Sequence, residues 1–145
     1  MWRELNPKVL AVGIGATFVL NVIWENAQAP MYEGHTGFLK DFWMCSSAAV
    51  SDVAIVGALY LAFALLFRDV SWYRSLGLRS VAPMMFVAAA VAVAIEKWAL
   101  DTGRWRYSGM PLVPILDVGL MPVLQMMIIP ILALGLMKIA DRGTV

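Results

Sequence analysis

Three carboxylic acids lie inside or at the ends of long apolar segments, where an acidic side chain is costly. Glu25 ends the first segment, Asp52 lies within the second and Glu96 lies near the end of the third. A charged residue at the centre of a bilayer costs about 2.5–3.5 kcal/mol on insertion scales, so such residues face protein or water and commonly serve function. Carboxyl groups in an apolar setting act as general acids or bind a proton or cation. Glu25, Asp52 and Glu96 are therefore the candidate catalytic residues.

Two of these acids end a stripe of small or polar residues spaced four apart. The first stripe consists of Gly13, Thr17, Asn21 and Glu25, with Gln28 three residues further on. The second consists of Ala88, Ala92 and Glu96. Residues four apart share one face of a helix, and small or polar faces are typical of contacts between membrane helices. A purely structural interpretation stays open, in which Asn21 and Gln28 join helices and Glu25 is an interfacial charge.

The elements that carry these residues are four long apolar segments. Of 145 residues, 61% are hydrophobic and 14% are charged, far from the roughly 45–50% apolar and 25% charged of soluble domains. Crossing a bilayer takes about 20 apolar residues, and four segments qualify, at about 7–29, 44–67, 81–100 and 118–137. We predict an all-α, four-helix transmembrane bundle that forms a single domain over residues 1–145. Residues 38–43 are expected to lie in the interface, and residues 102–116 to lack regular structure.

The basic residues predict the orientation of the bundle. Those expected at the side of the termini are Arg3, Lys8, Arg68, Arg74, Arg79, Lys138 and Arg142. Those on the other side are Lys40, Lys97, Arg104 and Arg106. Short cytoplasmic loops carry an excess of Lys and Arg, so both termini are predicted to be cytoplasmic. We expect a multi-pass protein of a bacterial inner membrane, embedded in the lipid bilayer.

This topology collects the polar residues in the outer half of the membrane. Helices one and three end where helices two and four begin, so Glu25, Asp52 and Glu96 are predicted to line one shared pocket. Close carboxyl groups in a low-dielectric site cannot all ionise cheaply, and at least one is expected to keep its proton. The residues predicted to bind a substrate there are Asn21, Trp24, Gln28, Trp105, Tyr107, Asp117 and Gln125.

Composition excludes several classes of site. The net charge of +1 gives no electrostatic basis for binding nucleic acid. Cys45 is the single cysteine and His35 the single histidine, so the chain has no intramolecular disulfide, no cysteine-based metal cage and no bis-histidine haem site. We therefore predict neither a metal nor a cofactor.

Two local patterns resemble an uncharacterised family of small bacterial four-helix membrane proteins. The first pattern is Trp24-Glu25-x-x-Gln28-x-Pro30-x-Tyr32. The second is Trp105-x-Tyr107, followed by Met110-Pro111-x-x-Pro114 and Leu124-Gln125. That family implies no assigned activity. Asn21-x-x-Trp24-Glu25, followed by the intramembrane Asp52, also resembles the integral membrane terpene cyclases of meroterpenoid pathways. This second resemblance implies that membrane carboxylic acids protonate an isoprenoid.

Three functions compete at this point. The first is a membrane enzyme that performs acid–base chemistry on a lipid or isoprenoid, with Glu25 or Asp52 as the acid. The second is a small proton- or cation-coupled transporter, which would need a homodimer because four helices are few for a pathway. The third is a non-catalytic assembly subunit. A transporter needs polar residues along its whole path, and few lie on the cytoplasmic side of Asn21. The pattern therefore favours a one-sided pocket over a channel.

Overall fold

The computed structural model describes residues 6–143, which fold into four long helices. The helices are α1 (Pro7–Gln28), α2 (Phe38–Phe67), α3 (Leu78–Asp101) and α4 (Leu120–Arg142). Each is long and apolar enough to cross a membrane, so the prediction of four membrane-length helices is confirmed. The cytoplasmic location of the termini stays a prediction, and Arg3, one of the residues behind it, lies outside the described range.

The helix ends follow local sequence signals. Asn6 precedes α1, where its side-chain oxygen accepts a hydrogen bond from the Lys8 amide at 2.9 Å, and Pro7 occupies the first helical position, which tolerates a residue without an amide hydrogen. At the C-terminal end of α2, Arg68 adopts a left-handed conformation (φ 53°) that ends the helix. Such caps satisfy backbone groups that the helix itself leaves unpaired.

The second helix begins earlier than expected. Residues 38–43 form the first turns of α2 rather than a separate interfacial segment. The reason is Asp41, whose carboxylate accepts hydrogen bonds from the Thr36 amide at 2.9 Å, from the Thr36 hydroxyl at 2.9 Å and from the Gly37 amide at 3.3 Å. A carboxylate that receives the amides at a helix N-terminus stabilises the start of that helix.

The expectation that residues 102–116 lack regular structure is wrong. Leu112–Val113 (β1) pairs antiparallel with Val118–Gly119 (β2). The same segment also pairs with the loop after α1, because the Glu33 amide donates to the Arg106 carbonyl at 2.9 Å and the Ser108 amide donates to the Met31 carbonyl at 2.7 Å. Short strand pairings between different loops leave almost no periodic pattern in a sequence, which is why the sequence did not predict them.

The bundle has a loop end, formed by segments 29–37 and 102–119, and a terminal end, where α1 begins and α4 ends. Helix α1 packs along α2 and α4, and α4 packs along α3, whereas α2 and α3 touch only slightly. A core cluster closes the terminal end, and its members are Val9, Phe63, Ala64, Trp72, Tyr73, Met84, Leu134 and Met137. A cleft between α2 and α3 therefore remains towards the loop end.

Candidate functional site

Gln125 on α4 lies at the centre of a hydrogen-bond network that joins three helices. Its Nε2 lies 2.8 Å from Asn21 Oδ1, 2.8 Å from Glu25 Oε1 and 3.2 Å from Asp52 Oδ2. Its Oε1 accepts a hydrogen bond from Gln28 Nε2 at 3.1 Å. Asn21, Gln28 and Gln125 are all buried. The polar face of α1 therefore packs against α4, with the carboxyl group of α2 as a third partner.

The carboxyl groups of Glu25 and Asp52 form a close pair. Both lie within hydrogen-bonding distance of the same amide nitrogen, and the two side chains also contact each other. An amide nitrogen carries two hydrogens, yet three oxygen atoms surround Gln125 Nε2. One of these three oxygens therefore receives no hydrogen from Gln125, and Glu25 Oε1 has a second donor in Gln28 Nε2, at 3.2 Å.

Glu96 on α3 is held by the segment that precedes α4. The Tyr107 hydroxyl donates to Glu96 Oε2, and Trp105 Nε1 donates to the same oxygen at 3.3 Å. The Tyr107 oxygen in turn accepts from the Gly119 amide at 2.8 Å. Two effects raise the pKa of Tyr107 above its ordinary value: burial is the larger one, and the hydrogen bond to Glu96 is the second. The phenol therefore keeps its proton and remains a hydrogen-bond donor to Glu96.

A cavity of about 700 Å³ occupies the cleft between α2 and α3. Glu25, Asp52 and Glu96 all line it, together with Gln28 and Gln125. Much of the remaining wall is apolar or aromatic, and includes Tyr32, Met44, Ala48, Ile55, Ala92, Ile95, Trp98, Trp105 and Met126. The arrangement combines a polar, acidic wall with an apolar space of the size that small-molecule sites usually have.

The rim of the cavity at the loop end contains residues that the sequence did not single out as a site. His35 Nδ1 lies 2.6 Å from Asp41 Oδ2, and both residues line the cavity. The Tyr32 ring packs edge-to-face against Trp105 and is tilted against Tyr107. Tyr32 belongs to the first of the two local sequence patterns, but that pattern assigned it no role in a site.

The candidate binding residues divide into three groups. Gln28, Trp105 and Gln125 line the cavity, whereas Asn21 and Tyr107 act one step behind it, through Gln125 and Glu96. Trp24 is half-buried and does not line the cavity, and its Nε1 has no hydrogen-bond partner among the described residues.

Asp117, which the sequence pattern predicted to bind a substrate, lies apart from the cavity. Asp117 is exposed in the turn between β1 and β2, outside the cavity, and has a positive φ of 54°. Its amide donates to the Val113 carbonyl at 3.2 Å. Asp and Asn tolerate this left-handed conformation better than most residues, so Asp117 serves the turn rather than the cavity.

The charges and side chains of the cavity determine what it can hold. Its lining includes Arg104, whose guanidinium lies 4.5 Å from the centroid of the Trp98 ring, and five acidic residues, which are Glu25, Glu33, Asp41, Asp52 and Glu96. Within residues 6–143 no group of three or more His, Cys, Asp or Glu side chains is arranged to bind a metal ion. The site is suited to proton transfer and to neutral or positively charged ligands.

Comparisons of this chain with protein-family models, with curated proteins and with solved structures found no match.

Proposed function

We propose that the protein is a multi-pass membrane enzyme that donates a proton to an unsaturated lipid of the isoprenoid class. One observation carries the proposal: the Glu25–Asp52 pair shares one amide donor in the wall of a 700 Å³ cavity that is otherwise largely apolar and aromatic. A proton donor beside an apolar space is what the protonation of a carbon–carbon double bond requires.

The proposed step needs only the carboxyl pair and the substrate. One carboxyl group of the pair holds a proton, because two close carboxylates in a low-dielectric site do not both ionise. Its O–H bond breaks as a C–H bond forms at the alkene, which leaves a carbocation. The carbocation then loses a proton from a neighbouring carbon to the carboxylate. The pair returns to its starting state and the product is an isomer of the substrate, either linear or cyclised.

The aromatic wall supports this chemistry. Trp105 and Tyr32 line the cavity, and the faces of such rings stabilise a nearby positive charge. Glu96, which the Tyr107 and Trp105 donors hold in place, adds a negative charge on the opposite helix. We propose that Glu25 and Asp52 exchange the proton, and that Glu96 and the rings stabilise the cation.

Deuterium incorporation tests the proposal directly. Purified protein in lipid vesicles is incubated in D₂O with squalene or geranylgeraniol, and the recovered lipid is analysed by mass spectrometry. We expect deuterium in the lipid, with Glu25→Gln and Asp52→Asn lowering the rate by about 100-fold or more. Asp101→Asn, at an exposed residue outside the cavity, is the matched control and should retain the wild-type rate. Deuterium levels equal to those of protein-free vesicles for every lipid would contradict the proposal.

The cytoplasmic location of both termini is part of the proposal, and the bias of basic residues supports it. With Cys45→Ser as background, Thr36→Cys and Ser75→Cys place single thiols in the first and second loops. A membrane-impermeant maleimide added to intact cells should label position 36 and not position 75. The reverse pattern would invert the orientation and place the cavity in the inner leaflet.

The alternative functions make different use of the same network. The apolar cluster at the terminal end of the bundle supports a one-sided pocket over a transport path that crosses the membrane. A non-catalytic assembly subunit would use the Gln125 network only to join helices. For such a subunit, no lipid would incorporate deuterium, although the carboxyl variants would still lower stability.

A further inference from the structure

The cavity wall has more hydrogen-bond acceptors than hydrogens. The Nε2 atoms of Gln125 and Gln28 supply four hydrogens between them, and four oxygen atoms already surround these nitrogens, those of Asn21, Glu25, Asp52 and Gln125. Gln28 Oε1 still lacks a donor among the described residues, although Gln28 is only 2% exposed. A buried acceptor without a partner is unfavourable because it has lost its hydrogen bonds to water, and a ligand that brings a hydrogen would remove part of that cost.

The sign of the charges restricts the polar group of that ligand. The lining has five acidic residues but one arginine, Arg104, whose side chain is exposed and lies over the Trp98 ring. His35, which also lines the cavity, lies against one of these acids, with its Nδ1 2.6 Å from Asp41 Oδ2. A carboxylate or phosphate group beside Glu25, Asp52 and the other acids of the lining would meet like-charge repulsion in a partly desolvated site. A neutral group that donates a hydrogen bond, such as a hydroxyl, fits both the surplus of acceptors and the sign of the charges.

The gap between α2 and α3 accommodates the rest of the ligand. The two helices touch only slightly, and the walls of the cavity there carry Ala48 and Ile55 on α2 and Ala92 and Ile95 on α3. Because α2 and α3 do not close the cavity between them, an apolar chain can extend outward between the helices, where the surrounding medium of a membrane protein is hydrocarbon.

We infer that the cavity binds a single-chain lipid alcohol, whose hydroxyl donates its one hydrogen to Gln28 Oε1 beside the Glu25–Asp52 pair and whose chain extends between α2 and α3. This inference rests on the proposed function for the membrane setting and narrows its substrate to lipids with a hydroxyl group. It concerns binding, so it can be tested without any turnover.

Matched ligands provide the test. Native mass spectrometry of the detergent-solubilised protein gives the affinities of oleyl alcohol, oleyl methyl ether and oleic acid, and then of geranylgeraniol and its methyl ether. We expect each alcohol to bind about 10-fold more tightly than its ether, because the ether leaves Gln28 Oε1 without a hydrogen, and the acid to bind more weakly than the alcohol. Alcohol preference for both chain types with no deuterium incorporation would support the inference and contradict the proposed reaction.

The wild-type protein is sufficient for this test: equal affinity for alcohol and ether, or tighter binding of the acid, would overturn the inference. Gln28→Leu should remove most of the preference for the alcohol, with Asn26→Leu on the same helix as control. Ala48→Phe, which narrows the cavity, should weaken alcohol binding by about 10-fold, whereas Ala54→Phe on the exposed face of α2 should not. Unchanged binding in a folded Ala48→Phe variant would contradict a chain that passes between α2 and α3.

Discussion

The replacement Gln125→Leu tests whether one amide holds the three helices of the site together. Leucine has a similar size and keeps the apolar contacts of α4, but it removes the donors to Asn21, Glu25 and Asp52 and the acceptor for Gln28. The perturbation therefore acts on polar contacts between α1, α2 and α4 and leaves helix propensity nearly unchanged.

The expected loss follows from the number of bonds. Two hydrogens on Nε2 allow two donated bonds at a time, and Oε1 accepts a third. Hydrogen bonds between membrane helices contribute about 0.6 kcal/mol on average and up to about 1.7 kcal/mol, and the half-buried carboxyl groups of Glu25 and Asp52, which lose a donor, add to the cost. We expect Gln125→Leu to lower the free energy of unfolding by about 3 kcal/mol.

Reversible unfolding in mixed detergent micelles, titrated with sodium dodecyl sulfate, measures this loss. Asn26→Leu is the matched control, since the Asn26 side chain donates one bond, at 2.7 Å, to the Val22 carbonyl of its own helix. It should change the free energy of unfolding by less than about 1 kcal/mol. If Gln125→Leu is no more destabilised than Asn26→Leu, the network does not join the helices and the site loses its structural basis.

Three further variants test separate parts of the structure. Tyr107→Phe removes the donor to Glu96 and should lower the free energy of unfolding by about 1–2 kcal/mol; a loss below about 0.3 kcal/mol would contradict this hydrogen bond. Asp41→Ala removes the carboxylate at the start of α2 and should speed amide hydrogen exchange at residues 38–41, and unchanged exchange would show that this carboxylate does not stabilise the helix start. Arg74→Ala breaks an ion pair with Asp141 in which the arginine side chain is 40% exposed, so it should cost no more than about 1 kcal/mol, less at high salt. A larger cost that is independent of salt would show that the pair is not screened by solvent.

The sequence alone was enough to predict the four helices, because hydrophobic length and spacing are local properties. Each segment of about 20 apolar residues must satisfy its own backbone hydrogen bonds in a bilayer, and only a helix does so within one segment. The spacing of Asn21, Glu25 and Gln28 likewise determined that they share a face of α1. Alternation of helix direction was sufficient to predict that the acids of three helices lie near one end of the bundle.

Only the tertiary structure decided which partner each polar residue meets. Gln125 bonds to Glu25 and Asp52 because α4, rather than α3, packs beside α1. Glu96 bonds to Tyr107, eleven residues further along the chain. The sequence contains no periodic pattern that shows which of four antiparallel helices pack against each other. The residue spacing therefore could not predict that α2 and α3 are separated, or that a cavity lies between them.

The positions of Asp117, Tyr32 and Asp41 relative to the cavity also depend on long-range packing. Asp117 looked equivalent to the other acids because it stands just before a helix, yet it is exposed in the turn between β1 and β2 and does not line the cavity. Tyr32 and Asp41 entered the site through contacts with Trp105 and with the Thr36 backbone, which depend on how two loops fold. Residue type and hydrophobic periodicity were thus enough to predict the helices and the end of the bundle at which the acids lie. Long-range packing, which no local pattern encodes, decided the pairs that form the site.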